Sequence, residues 1–227
     1  MGQLYSDTQK SKTIAGISLL MVFYLIPYVC KWTGCTLFSS NDVKHLLIFE
    51  FYSWVILGCM FIYSYSVERQ GFLFAKEEVY PSRWFIGTLF KQFLILIAIS
   101  FVIAMLVKLL GLPAHSDKMI KLADLLHSHK YLVPILAFTA GATEELLVRG
   151  FLFSRLLRLF KNPVIPMIIS SIIFSLLHIS YGNLSNLLFP LALGLYFSWH
   201  YYKYRNIKVL ILCHFLWDYM TLGANAR

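Results

Sequence analysis

The chain has 227 residues, of which 59% are hydrophobic and 14% charged, and its mean hydropathy is +0.68. Soluble domains carry about 25% charged residues, so a water-soluble core is excluded and a membrane-embedded helical bundle takes its place. The formal charge of +9 does not point to nucleic acid, because the basic residues fall in short loops between apolar runs, where Lys and Arg orient a membrane protein.

Lys10 and Lys12 precede the first apolar run, residues 13–29, as in a signal peptide. No small-x-small cleavage site follows, so the run is read as the first span. Met1-Gly2-Gln3-Leu4-Tyr5-Ser6 fits the myristoylation pattern, which is short enough to arise by chance and is not taken as lipidation. Cys30 and Cys35 lie close together in a loop, whereas Cys59 and Cys213 stand apart. No Cys-x-x-Cys pair exists, and isolated thiols are the expectation for all four.

Residues 46–66 and 84–112 supply the second and third spans. Glu50 and Lys91 are single charges within these runs, and structural pairing or snorkelling is the expected role of each. Residues 113–130, with Pro, Ser, Asp and three histidines, read as a polar linker. It closes an N-terminal three-helix part, residues 1–130, and introduces a helical core, residues 131–222, within one membrane domain.

That core holds runs at 131–160, 164–181, 184–202 and 207–222, which brings the expectation to an all-α bundle of about seven spans. The end of the fourth run, with Arg155, Arg158 and Lys161 among Leu and Phe, has the pattern of an interfacial helix or an eighth element. Pro163 and Pro166 suit the first turn of the next helix. With the N-terminus inside, the inner loops hold Lys10, Lys12, Arg69, Lys76, Arg83, Arg155, Arg158, Lys161, Lys203, Arg205 and Lys208. The outer ones hold Lys31, Lys44, Lys118, Lys121, Lys130 and Arg227, and this asymmetry favours a cytoplasmic N-terminus in the cell membrane.

Ionisable groups inside spans are costly and mark functional sites. Thr143-Glu144-Glu145-Leu146-Leu147-Val148-Arg149-Gly150 places two adjacent carboxylates in an apolar run. Glu145 and Arg149 are i,i+4 neighbours able to pair, which leaves Glu144, rotated by about 100°, available. Phe174 and His178 share a face of the next helix, and His214 and Asp218 share a face of the last. If the fourth helix runs unbroken to Phe160, Glu144 lies about 24 Å from that end and His178 about 22 Å beyond Pro163, so the two are level. A break at Gly150 would separate them.

The order Glu-Glu-x-x-x-Arg, Phe-x-x-x-His, His-x-x-x-Asp on successive membrane segments, between about residues 131 and 222, resembles the CPBP family. This is the CAAX-protease and bacteriocin-processing group, which includes the type II CAAX prenyl proteases. The resemblance implies peptide hydrolysis within the membrane, with Glu144 and His178 activating water and His214 and Asp218 facing the substrate carbonyl. Glu145, Arg149 and Phe174 take structural or orienting roles. Asp218 departs from the characterised CAAX proteases, which have Asn there, and an ionised carboxylate cannot donate to an oxyanion. Leu191-x-x-Gly194 lies where the family has a small-residue motif, and close helix packing is the expected use of Gly194.

Members of the family are described both as metallopeptidases and as metal-free glutamate peptidases. The metal-free form is the expectation, and Glu144, His178 and His214 are the candidate ligands should zinc be held. No His-Glu-x-x-His, Gly-x-Ser-Gly or Gly-x-Gly-Asp sequence is present. The partners implied are the lipid bilayer and a peptide or protein substrate, prenylated or bacteriocin-like. Two alternatives use the same residues differently. One is a non-catalytic bacteriocin-immunity or interaction protein, and the other a small proton-coupled transporter with the carboxylates and histidines as a relay.

Overall fold

The computed structural model describes residues 6–38, 42–113, 116–160 and 162–225. Most of the myristoylation pattern at 1–6 lies outside these residues, as do Lys161 and Arg227 of the loop-charge asymmetry and His115 of the linker. Among the described residues the secondary structure is helical, without strands.

Helix α1, Asp7–Trp32, starts at a Ser6 cap whose hydroxyl accepts from the Gln9 amide at 3.2 Å. Helix α2, Val43–Tyr63, is capped by the Asp42 carboxylate on the His45 amide at 2.9 Å and continues into a π-helical turn, Ser64–Glu68. Helix α3 spans Ser82–Leu109. The linker expected at 113–130 is itself largely a helix, α4, Asp117–Ser128, capped by Ser116. Its apolar residues Leu122, Leu125 and Leu126 recur at helical spacing and pack on Leu46, Leu132, Val133 and Leu136, so local polarity concealed an amphipathic element.

The fourth apolar run becomes one continuous rod. It comprises α5, Leu132–Glu144, then a π-helical segment, Glu145–Phe153, then α6, Ser154–Leu159. The break at Gly150 does not occur, and α6 does not lie apart as an eighth element. Helix α7, Val164–Leu177, ends in a 3₁₀ turn, Ile179–Tyr181, and is followed by α8, Ser185–Tyr204, and α9, Ile207–Asn225.

Each expected apolar run falls within a helix, yet only five helices among the described residues are long and apolar enough to cross a membrane. They are α1, α2 with its π turn, α3, α7 with its 3₁₀ turn, and α9. The rod of α5 and α6 carries five charged residues, and α8 is rich in Ser, Asn, Tyr and His, which accounts for their lower hydropathy.

The rod occupies the centre. On one side Val148 and Phe153 join Phe174, Leu193, Phe197, Tyr201 and Cys213 in a core with α3, α7, α8 and α9. On the other, Leu147, Phe151 and Leu152 meet Leu20, Ile56, Leu57 and Met60 of α1 and α2. Two glycines of the C-terminal core allow close approaches between helices. A Cβ on Gly141 would stand 2.8 Å from the Phe215 nitrogen of α9, and one on Gly194 would stand 2.9 Å from the Ser171 Cβ of α7, as the packing role expected for Gly194 requires.

Cys30 and Cys35 form a disulfide, contrary to the isolated thiols expected, while Cys59 and Cys213 are free. The Cα atoms are 4.9 Å apart because α1 stops at Trp32 and the chain turns back at once. Arg155 also departs from its reading as a loop charge. It is fully buried, with Nε and Nη2 on Glu68 Oε2 at 3.0 and 2.6 Å and Nη2 on Ser64 Oγ at 2.8 Å.

Candidate active site

Where α5 passes into the π segment, the wider helical turn brings Glu145, Arg149 and their neighbours into the middle of the bundle. Arg149 Nη1 donates to Glu145 Oε1 at 2.8 Å, and both side chains are fully buried, so the expected i,i+4 pair is present. The guanidinium carbon also lies 4.5 Å from the Phe174 ring centroid and 5.6 Å from that of Phe197.

Glu145 has a second partner that spacing within one helix could not reveal. Its Oε1 lies 2.8 Å from His214 Nδ1 on α9, brought close by the α5–α9 approach at Gly141. That bond assigns the Nδ1 proton, orients the ring and turns Nε2 toward Glu144 Oε2 at 3.8 Å and Asp218 Oδ2 at 3.5 Å. Three carboxylates therefore surround one imidazole. They differ in access: the side chains of Glu144 and Asp218 are 32% and 25% exposed, whereas that of Glu145 is closed off. Glu144 and Asp218 keep part of their side-chain surface exposed, although Glu144 Oε2 itself is buried, and Glu145 is an internal brace between Arg149 and His214.

His178 caps α7 and its Nδ1 donates to the Phe174 carbonyl at 2.9 Å, which leaves Nε2 outside that bond. Phe174, 2% exposed, stands between the histidines, its centroid 4.9 Å from the His178 ring and 6.3 Å from the His214 ring. The structure thus joins Glu144, Glu145, Arg149, His214 and Asp218 directly, and brings His178 to the same region across an aromatic ring. No hydrogen bond or ion pair links Glu144 to His178 among the described residues. Nor, among those residues, do three or more His, Cys, Asp or Glu side chains form a group able to hold a metal. Glu144, His178 and His214 do not fit as a ligand set in this arrangement.

The N-terminal part contributes more than its sequence announced. Glu50 of α2 lies within electrostatic reach of Glu144 and Asp218, and its side chain makes no ion pair among the described residues. Tyr24 of α1 is within electrostatic reach of Glu144 and Arg149, and Tyr181 within reach of Glu144, Glu50 and Asp218. A hydrogen bond from Trp54 Nε1 to Thr139 Oγ1 at 3.2 Å aligns α2 with α5, and Tyr28 donates to the Leu177 carbonyl beside His178 at 3.1 Å. The only signal of this in the sequence is an acidic residue within an apolar run, Glu50. Lys118 of α4 reaches the rim, 3.1 Å from Ser180 Oγ and 4.7 Å from the Tyr181 ring centroid, and burial together with Lys31 pulls its ammonium pKa down.

Residues 127–220 match the family described as type II CAAX prenyl endopeptidase Rce1-like. The match begins at the end of α4 and takes in every motif residue from Glu144 to Asp218. No curated protein and no solved structure matches the chain.

Proposed function

We propose, on the match of residues 127–220 to the type II CAAX prenyl endopeptidase Rce1-like family and on the motifs it takes in, that the chain is an intramembrane endopeptidase of the CPBP family that uses Glu144 to activate water. Its substrate is the membrane-associated portion of a peptide or protein. The observation that carries this reading is the different setting of adjacent carboxylates, Glu144 with a partly exposed side chain and Glu145 closed off and bonded to both Arg149 and His214.

A water hydrogen-bonded to Glu144 is positioned to lose a proton to that carboxylate as it attacks the scissile carbonyl carbon. His214, held through Nδ1 by Glu145, presents Nε2 to the same space, where a proton on that nitrogen can be donated to the developing oxyanion or the departing amine. Arg149 fixes Glu145 and stays out of the reaction. His178 lies on the far side of Phe174, with its Nε2 outside the bond to the Phe174 carbonyl. Asp218, with Oδ2 3.5 Å from His214 Nε2, stabilises positive charge on that imidazole, the use its carboxylate permits where the family has an amide donor.

Two observations support a cell-membrane location with a cytoplasmic N-terminus. Arg69, Lys76, Arg158, Lys203 and Arg205 gather in the 69–81 loop and at the ends of α6 and α8, at one end of the bundle. The Cys30–Cys35 disulfide lies at the opposite end of the bundle, as an oxidising exterior would allow.

The test is cleavage of a peptide library by the purified full-length chain, compared with Glu144→Gln. Glutamine keeps the shape but cannot accept the proton, so turnover falls by about 10²–10⁴-fold while substrate capture and melting temperature are retained. Wild-type cleavage by Glu144→Gln would remove the glutamate mechanism, and full biological activity of a cleavage-dead Glu144→Gln would favour a non-catalytic interaction protein.

A further inference from the structure

At the end of the bundle opposite α4, the loop of residues 69–81 folds across the base of the rod, and between it and the end of α2 lies a cleft of about 690 Å³. Such a volume falls within the roughly 300–1,000 Å³ of small-molecule sites. Its two walls differ. One is apolar: Phe61 and Tyr65 stack with centroids 6.1 Å apart and are 36% and 60% exposed on the outer surface of a membrane-crossing helix. The other is cationic, with Lys76 exposed on the loop and Arg158 projecting from α6.

The cationic wall is held in place. Arg158 donates through Nη1 to Gln70 Oε1 and lies within 3.4 Å of the Gly71 carbonyl through Nη2, so its guanidinium is fixed at the cleft with further N–H donors in its fork. Lys76 makes no ion pair among the described residues. Glu77, the acid in the lining, is engaged elsewhere, with Oε2 on the Ile207 amide at 2.7 Å and Oε1 on the Tyr201 hydroxyl at 3.3 Å.

We propose that this cleft binds the headgroup of an anionic glycerophospholipid, with the phosphate against Arg158 and Lys76 and an acyl chain along Phe61 and Tyr65. A soluble anion would use the cations and leave the aromatic wall without a role. An acidic peptide would likewise gain nothing from an apolar wall at the depth of a membrane span. A phospholipid is the ligand that joins a charge and hydrocarbon in one molecule, and the surrounding Arg69, Arg83, Lys203, Arg205 and Lys208 give the whole end of the bundle an attractive field for it. The same loop braces the rod. A Cβ on Gly150 would meet Phe72 and Leu73 at 3.1 Å, and Arg155 binds the Phe72 carbonyl, so lipid in the cleft stiffens the backing of the π segment.

The purified full-length chain in neutral detergent is titrated with short-chain phosphatidylglycerol, the matching phosphatidylcholine and inorganic phosphate, with binding read from the melting temperature. Each cation near an anionic lipid is worth about fivefold in affinity, so phosphatidylglycerol should bind saturably and about 25-fold more tightly than phosphatidylcholine. Lys76→Gln, at an exposed side chain whose loss cannot unfold the protein, should remove about fivefold of that preference, and Lys76→Gln with Arg158→Gln the rest. Equal binding of the two lipids, or an undiminished preference in Lys76→Gln, would overturn the proposal. A shift with inorganic phosphate equal to that with phosphatidylglycerol would overturn it in favour of a soluble anion.

Discussion

Two buried arginines stand six positions apart on the same rod and do different work. Arg155 is saturated: its guanidinium bonds Glu68, Ser64 and the Phe72 carbonyl, three partners from the N-terminal part of the chain. Arg149 bonds one carboxylate oxygen, and among the described residues its Nε and Nη2 have no hydrogen-bond partner. A buried guanidinium with every nitrogen bonded fixes one structure, whereas one with unmet hydrogen-bonding capacity is costly to keep. Arg155 ties the two parts of the chain together, and Arg149 holds Glu145 against His214.

The largest effect expected from that contrast is at the site. Glu145→Gln with Arg149→Met removes both charges and should fold better than Arg149→Met alone, which strands a buried carboxylate. Turnover should nonetheless stay depressed by on the order of 10²–10⁴-fold, because His214 Nδ1 loses the carboxylate that orients it. A thermal melt and a cleavage assay on the same preparation check both halves. Recovery of activity along with stability would make Glu145 a structural residue and nothing more.

At the other arginine the effect should fall on folding. Arg155→Met leaves Glu68 buried and unpaired at a cost of about 3–5 kcal/mol, and adding Glu68→Gln should return much of it. Turnover per folded molecule, measured on the surviving fraction, should stay close to wild type. A selective loss of turnover with unchanged stability would erase the distinction between the two arginines.

Much of this was legible in the sequence because it is local. Length and hydropathy mark every long apolar helix but not α4, and i,i+4 spacing pairs Glu145 with Arg149 and places His214 with Asp218. The contacts that define the site cross between helices, and spacing within a helix carries no information about them. Glu145 meets His214 across 69 positions and Glu68 meets Arg155 across 87. Arg155 looked like a loop cation because nothing in its own neighbourhood names a partner. The span count was less legible, since the rod that bears the site holds the charges that lower its hydropathy. Cys30 and Cys35 are the one pair close enough in sequence to suggest a disulfide, but without a recognised motif spacing alone favours isolated thiols, although a five-residue separation across a tight turn suffices.

The smallest effect sharpens the scaffold side of the comparison. Glu77 lies outside the spans, half-buried in the 69–81 loop without a bonded cation. Burial pushes its carboxyl pKa up, while the Ile207 amide, the Tyr201 hydroxyl and the charge of Lys208 offset part of that rise. A carboxyl whose pKa is higher in the folded chain than in the unfolded one binds more protons when folded. Its stabilising contribution is complete below the ordinary glutamate pKa and is lost as pH climbs through the raised one. The difference in melting temperature between wild type and Glu77→Gln, followed from acid to neutral pH, should therefore drift against wild type as pH rises. Subtracting the variant removes titrations common to both, among them Asp42, whose carboxyl the His45 amide holds below its usual range and which acts in the opposite sense as pH falls. A difference that grows in favour of wild type with rising pH would mean that the hydrogen bond to the first amide of α9 outweighs burial, and Glu77 would then count as a helix cap as fully satisfied as Arg155.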